Sequence, residues 1–172
     1  MLRKRFPLNV WLAVAVLLVP SVARGGWETV RVIFQEPSGE TSEIEGTKIV
    51  YGYYVREFTP KGVKDRLRTE KGLAFPDRDI PFPDLTSIEF DLEADGTSGK
   101  LVPTKMRITY QEKRDQVVRV EREVGDLRGF GNPNPAVLIV TTADGRVELD
   151  LTPPFDDEGR GLYRPIVRIL FD

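Results

Sequence analysis

The chain contains no histidine and no cysteine among its 172 residues. Those two absences exclude Ser-His-Asp and Cys-His nucleophilic sites, the common zinc and haem ligand sets, and thiol redox chemistry. They also remove the side chain that normally changes charge near neutral pH, any disulfide staple, and any N-terminal cysteine for lipid attachment. A glycine-rich phosphate loop is missing too. "GFGNPNP" (residues 129–135) holds a G-x-G, but two prolines follow instead of the helix whose first amides would grip a phosphate. Beyond the first 25 residues no apolar run is long enough to span a bilayer, which takes about 20 residues.

What remains catalytically is carboxylate chemistry, which needs two acidic groups a few ångströms apart across a cleft. With 27 Asp and Glu some pair always lies close, so the pattern has no specificity. Most of these charges, such as Glu148 and Asp150, fall on the outward side of alternating segments. No catalytic residue, no metal site and no cofactor is assigned, and the expectation is a non-enzymatic protein.

The start, "MLRKRFPLNVWLAVAVLLVPSVARGG", has the layout of a secretory signal peptide over residues 1–25. Arg3, Lys4 and Arg5 precede 12 apolar residues, 8–19, and Ser21 and Ala23 are small residues at a cleavage site. Cutting after Gly25 is the close alternative. Export to the periplasm or the extracellular space follows, with no integral membrane segment after cleavage. Residues 1–23 carry three of the 25 Lys and Arg and no acid, so the rest holds 22 basic against 27 acidic groups, net −5. That balance excludes nucleic acid as a partner and disfavours anionic lipid, since both need a basic face. An outer-membrane barrel is rejected as well: 30% charged residues and 13 prolines leave no lipid-facing strands, and the chain ends Phe171-Asp172.

Two short motifs recur in the same order. "VRVIFQE" (residues 30–36) matches "MRITYQE" (106–112), and "LTSIEFD" (85–91) matches "IVRILFD" (166–172). The offsets are 76 and 81, and the acidic, Pro- and Gly-rich "TPPFDDEGRGLY" (152–163) is the natural place for the extra five residues. An internal duplication is inferred, with repeat A at 26–91, a linker at 92–104 and repeat B at 105–172.

Period-two alternation at Val30, Val32, Phe34 and at Met106, Ile108, Tyr110 marks half-buried strands. "QVVRVEREV" continues as a strand, "AVLIVTTADGRVELDL" is a hairpin turning at Asp144-Gly145, and "RPIVRILF" closes the chain. Repeat A is read as "VRVIFQE", "TSEIEG", "KIVYGYYVREF", "GLAFPDRDIPF" and "TSIEFD", with a basic loop at 59–72. The fold class is therefore all-β, a sandwich or paired small barrels of about ten short strands in two five-stranded halves. Each half alone is small for a stable core, so the halves are expected to pack together.

"DLEADGTSGK" (91–100) raises the question of calcium. Asp91, Glu93, Asp95 and Gly96 occupy positions 1, 3, 5 and 6 of an EF-hand-type loop, but position 12 is Val102, which cannot ligate. The segment is read as a turn. A second acidic cluster, Asp156-Asp157-Glu158, is read as a solvated loop.

The one feature suggesting a ligand is "IVYGYYVREF" (49–58), where Tyr51, Tyr53, Tyr54 and Arg56 offer flat rings and a cation to a sugar or peptide. The competing reading is that the tyrosines fill the sheet interior. Two functions follow: an exported binding or structural module for a protein or other envelope or extracellular partner, or a small-ligand or carbohydrate module on the tyrosine cluster.

Overall fold

A computed structural model describes residues 26–96, 99–113, 116–131, 136–153 and 163–172. The segment read as a signal peptide and the Asp156-Asp157-Glu158 cluster lie outside the described residues. Twelve strands are described: β1 (Val30–Gln35), β2 (Thr41–Gly46), β3 (Lys48–Thr59), β4 (Gly62–Glu70), β5 (Gly72–Ala74), β6 (Asp79–Pro81), β7 (Leu85–Ala94), β8 (Leu101–Gln111), β9 (Val117–Glu123), β10 (Val137–Thr142), β11 (Gly145–Asp150) and β12 (Ile166–Phe171). The only described helical pieces are 3-10 turns at Phe82–Asp84 and Val124–Asp126. No described helix is long and apolar enough to cross a membrane.

Every described strand pairing is antiparallel. Six strands form one sheet in the order β2-β1-β12-β7-β8-β9, four form a second in the order β11-β10-β3-β4, and β5-β6 is a separate ribbon. The two large sheets pack as a sandwich, because alternation gives each one an apolar face that only the other can shield from water. Val32, Ile88, Ile108 and Ile169 from the first sheet and Ile49, Tyr51, Leu138 and Val140 from the second belong to one buried cluster.

The six-stranded sheet reads the same from either edge. Its central inner row runs Ile44, Val32, Ile169, Ile88, Ile108, Val120, each directly opposite the next. Val30 faces Phe171 as Met106 faces Phe90. One irregularity corresponds: β1 slips past Val167 between Arg168 and Ile166, and β8 slips past Thr86 between Ser87 and Leu85; a second slip, past Thr104 between Lys105 and Pro103, belongs to β7-β8 alone. The hairpin amides of Glu36 and Glu112 both donate to the carbonyl four residues on, each at 2.8 Å. On the outer face Arg31 reaches Asp172 at 2.8 Å and Arg107 reaches Asp91 at 2.9 Å. Arg164 lies 4.4 Å from the Phe34 ring centre and pairs with Glu36; Arg78 lies 5.1 Å from the Tyr110 ring centre and pairs with Glu112.

Several details differ from the sequence reading. The basic segment 59–72 is a strand, β4, which forms a nine-pair hairpin with β3, rather than a loop. Its charges hid the strand, because alternation between two solvated faces has no hydrophobic period. "GLAFPDRDIPF" is two three-residue strands folded on each other, since Pro76-Asp77 breaks it. Of the expected linker 92–104, residues 92–94 extend β7 and 101–104 extend β8, and the Asp95 amide donates to the Lys100 carbonyl at 2.8 Å. In the β10-β11 hairpin the central residues are Ala143-Asp144, because Thr142 pairs with Gly145. Gly145 follows the turn with φ at 128°, a value that favours glycine.

Candidate functional site

Strand β3 is twelve residues long, but β10 accompanies it only from Lys48 to Gly52. The remainder pairs with β4 alone among the described strands, so residues 53–59 and 62–68 form a two-stranded ribbon extending from the sheet. Alternation sets two faces along this ribbon. Ile49, Tyr51, Tyr53 and Val55 continue the core side, while Val50, Gly52, Tyr54, Arg56 and Phe58 lie on the outer side.

Tyr51 has no exposed surface, and its hydroxyl donates to the Arg128 carbonyl at 2.7 Å. Burial, with a smaller contribution from neighbouring Tyr53, pushes its pKa well above the usual tyrosine value. Tyr53 is half-buried, with its ring centre 5.9 Å from that of Tyr51 and its hydroxyl donating to Glu70 at 3.3 Å. Its other side is occupied by backbone: a Cβ placed on Gly129 would lie 2.3 Å from the Tyr53 ring. Arg128 ties this corner down by reaching Glu70 at 3.5 Å and Asp79 at 3.3 Å.

Tyr54 stands on the opposite face, across from Leu67, and Arg56 pairs with Asp65 at 3.2 Å. The structure therefore brings Tyr51 and Tyr53 together and sets Tyr54 and Arg56 apart from them. Tyr51 offers no surface to a ligand, so four residues on a common platform do not form. Glycine suits position 52 on the outer side because a side chain there would press within 3.0–3.3 Å of Val137, Leu67 and Ile139, which close over it.

From the sequence, Lys61, Lys64, Arg66 and Arg68 of this segment could serve an anionic partner, but Phe58 and Val63 are given no role there. Phe58 is 82% exposed and Val63 57%, and they are directly opposite each other across β3 and β4. Lys61 and Lys64 flank them with no ion-pair partner among the described residues, whereas further back Arg66 and Arg68 share Glu57. A signal was present in Thr59-x-x-Gly62, which repeats at Thr142-x-x-Gly145. Both threonine hydroxyls donate to the glycine carbonyl, at 2.8 and 3.0 Å. That shared turn would have identified 59–72 as a hairpin.

Elsewhere, a shallow groove of about 650 Å³ crosses the outer face of β7, β8 and β9, lined by Ser87, Glu89, Arg107, Thr109, Arg119 and Glu121. It is open and of mixed polarity, and Arg107 is engaged there with Glu89 at 3.5 Å. Asp91 of the acidic stretch is taken up by Arg107, and the described residues contain no group of three or more acidic side chains placed to hold a metal.

The fold thus makes this an antiparallel β-sandwich with one hairpin standing out from it. The chain matches no protein-family model, no curated protein and no solved structure.

Proposed function

We propose that this is an exported, non-catalytic β-sandwich that binds a cell-envelope or extracellular partner, and that the β3-β4 hairpin makes the contact. One observation carries the reading: the largest exposed apolar side chain among the described residues, Phe58, stands near the end of a ribbon that extends past the last pairing with β10. Single exposed apolar residues are ordinary. Here, two of the four large exposed ones among the described residues are cross-strand partners at a protruding tip. Export rests on the composition of residues 1–25.

The six-stranded sheet arose, on this proposal, by doubling of a segment into repeats A and B. The paired registers, the two matching slips and the equivalent Arg31-Asp172 and Arg107-Asp91 contacts support that origin. The hairpin has its counterpart in β10-β11, which is shorter and carries no large exposed apolar side chain at its tip, so the contact belongs to one repeat. The alternative, a small-ligand or carbohydrate module, loses Tyr51 to the core and has Tyr53 on one face with Tyr54 and Arg56 on the other.

The test places a photo-crosslinking residue at position 58 in the cells that make the protein. Cross-linking to one envelope or extracellular component, absent when the residue is at exposed Val117, supports the proposal. Equal labelling from both positions, or recovery of the protein in the cytosol with residues 1–23 still attached, refutes it.

A further inference from the structure

Net charge conceals how charge is distributed in this chain. Beyond residue 23 the balance is −5, but residues 53–68 hold five basic and two acidic side chains, +3, leaving −8 elsewhere. The two acids of the ribbon are occupied by its arginines, Asp65 with Arg56 and Glu57 with Arg66 and Arg68. The last stretch, 58–64, contains no acid and two lysines beside the exposed Phe58 and Val63. Lys61 sits in the turn just beyond the Phe58-Val63 pair and Lys64 one step behind it, across from Glu57. Apolar side chains set between two ammonium groups suit a negatively charged interface, where burial and headgroup attraction add.

Length makes this workable despite the acidic body. Seven residues separate Gly52, the last partner of β10, from the turn, a reach of about 24 Å at roughly 3.4 Å per residue. At physiological salt charges are screened over about 8 Å, so the body does not repel a surface that the tip touches.

Shape separates the candidate partners. A stable protein interface takes about 800 Å² per side, and the end of a two-stranded ribbon presents two apolar side chains. A bilayer surface requires no complementary shape. A second copy of the chain added along β4 would bring Lys64, Arg66 and Arg68 against their own kind, and basic residues on an edge strand oppose such pairing. We propose that the hairpin docks on an anionic lipid surface, with Phe58 and Val63 entering the interface and Lys61 and Lys64 against the headgroups. This rests on the reading of the hairpin as the contact element.

The test uses the chain as recovered from producing cells, with the same N-terminus in every variant, and vesicles of phosphatidylcholine alone or mixed equally with phosphatidylglycerol. Partitioning is expected to favour the anionic vesicles and to fall with salt. Phe58→Ser is expected to weaken it about tenfold, and Lys61→Gln with Lys64→Gln about thirtyfold on the anionic vesicles only. Val117→Ser, an equally exposed valine on β9, should leave it unchanged. Because all these sites are exposed, circular dichroism should show the fold retained. Absence of vesicle binding, equal binding to both compositions, or wild-type binding by Phe58→Ser overturns the lipid proposal. If cross-linking from position 58 then captures a protein, the hairpin remains the contact element; if it captures nothing, that reading fails with it.

Discussion

Ile88 and Ile169 meet at the centre of the six-stranded sheet, and the two should behave as one site occupied twice. Both are wholly buried and directly opposite each other. Ile88 has Ile108 on its other side and Ile169 has Val32, so each is flanked by a β-branched residue in the same row. Replacing either by valine removes one methylene, which in a closed core costs about 0.5–1.5 kcal/mol. The two single substitutions should agree within about 0.5 kcal/mol, since the surroundings correspond. The double substitution should depart from additivity, because the side chains touch and the voids merge. Urea unfolding of the four proteins, with equal m-values, measures all three quantities. A difference between the singles above about 1.5 kcal/mol would show that the two isoleucines occupy unlike environments. Strict additivity would show that they do not touch, and either result removes the energetic basis for a doubled sheet.

Two further substitutions test the corner beneath the ribbon. In the unfolded chain Tyr51 ionises near pH 10, whereas in the fold burial keeps it protonated to higher pH. The unfolded state then binds fewer protons, so stability falls as pH rises above about 10, by up to about 1.4 kcal/mol per unit from this group. Tyr51→Phe should lower stability at neutral pH by about 1–3 kcal/mol, through loss of the bond to Arg128, and should flatten the alkaline decline; an unchanged slope in urea titrations at pH 9–11 would contradict it. Gly129 has φ at 76° and backbone against the Tyr53 ring. Gly129→Ala should therefore cost at least about 1–2 kcal/mol from conformation alone, while Gly125→Ala, with nothing within 4 Å, should stay within about 0.5 kcal/mol. Equal urea midpoints for those two variants would refute the packing described for Tyr53.

Legibility in the sequence followed burial. Strands with one face on the core, such as β1, β8 and β12, announce themselves because water enforces a period of two. The all-β class and the sandwich came from those segments. Strand β4 did not, since along most of its length both faces are in water and nothing selects apolar residues at alternate positions. The tyrosines show the converse. Composition placed rings on β3, but whether a ring is offered to a ligand or spent on the core depends on what packs against it. Gly129 and the Arg128 carbonyl, 77 residues from Tyr51, decide that. No local pattern around Tyr51 carries the information.

The symmetry of the large sheet explains why the functional element should be sought where symmetry fails. Matched rows, slips and ion pairs in β1, β2, β7, β8, β9 and β12 are accounted for by the closing of one core. The second sheet uses two hairpins with the same Thr-x-x-Gly turn, and there the halves diverge. β10-β11 stops after six pairs, with every one of its residues serving the sandwich or its solvated face. β3-β4 continues to nine and leaves its last apolar pair in water. Isolated two-stranded ribbons are marginal in water, so extending one adds little to the stability of the body. The extra length, the exposed phenylalanine and the two lysines, which have no ion-pair partner among the described residues, lie beyond the part of the hairpin that β10 joins to the sandwich. On the proposal made above, contact with something outside the chain accounts for all three together.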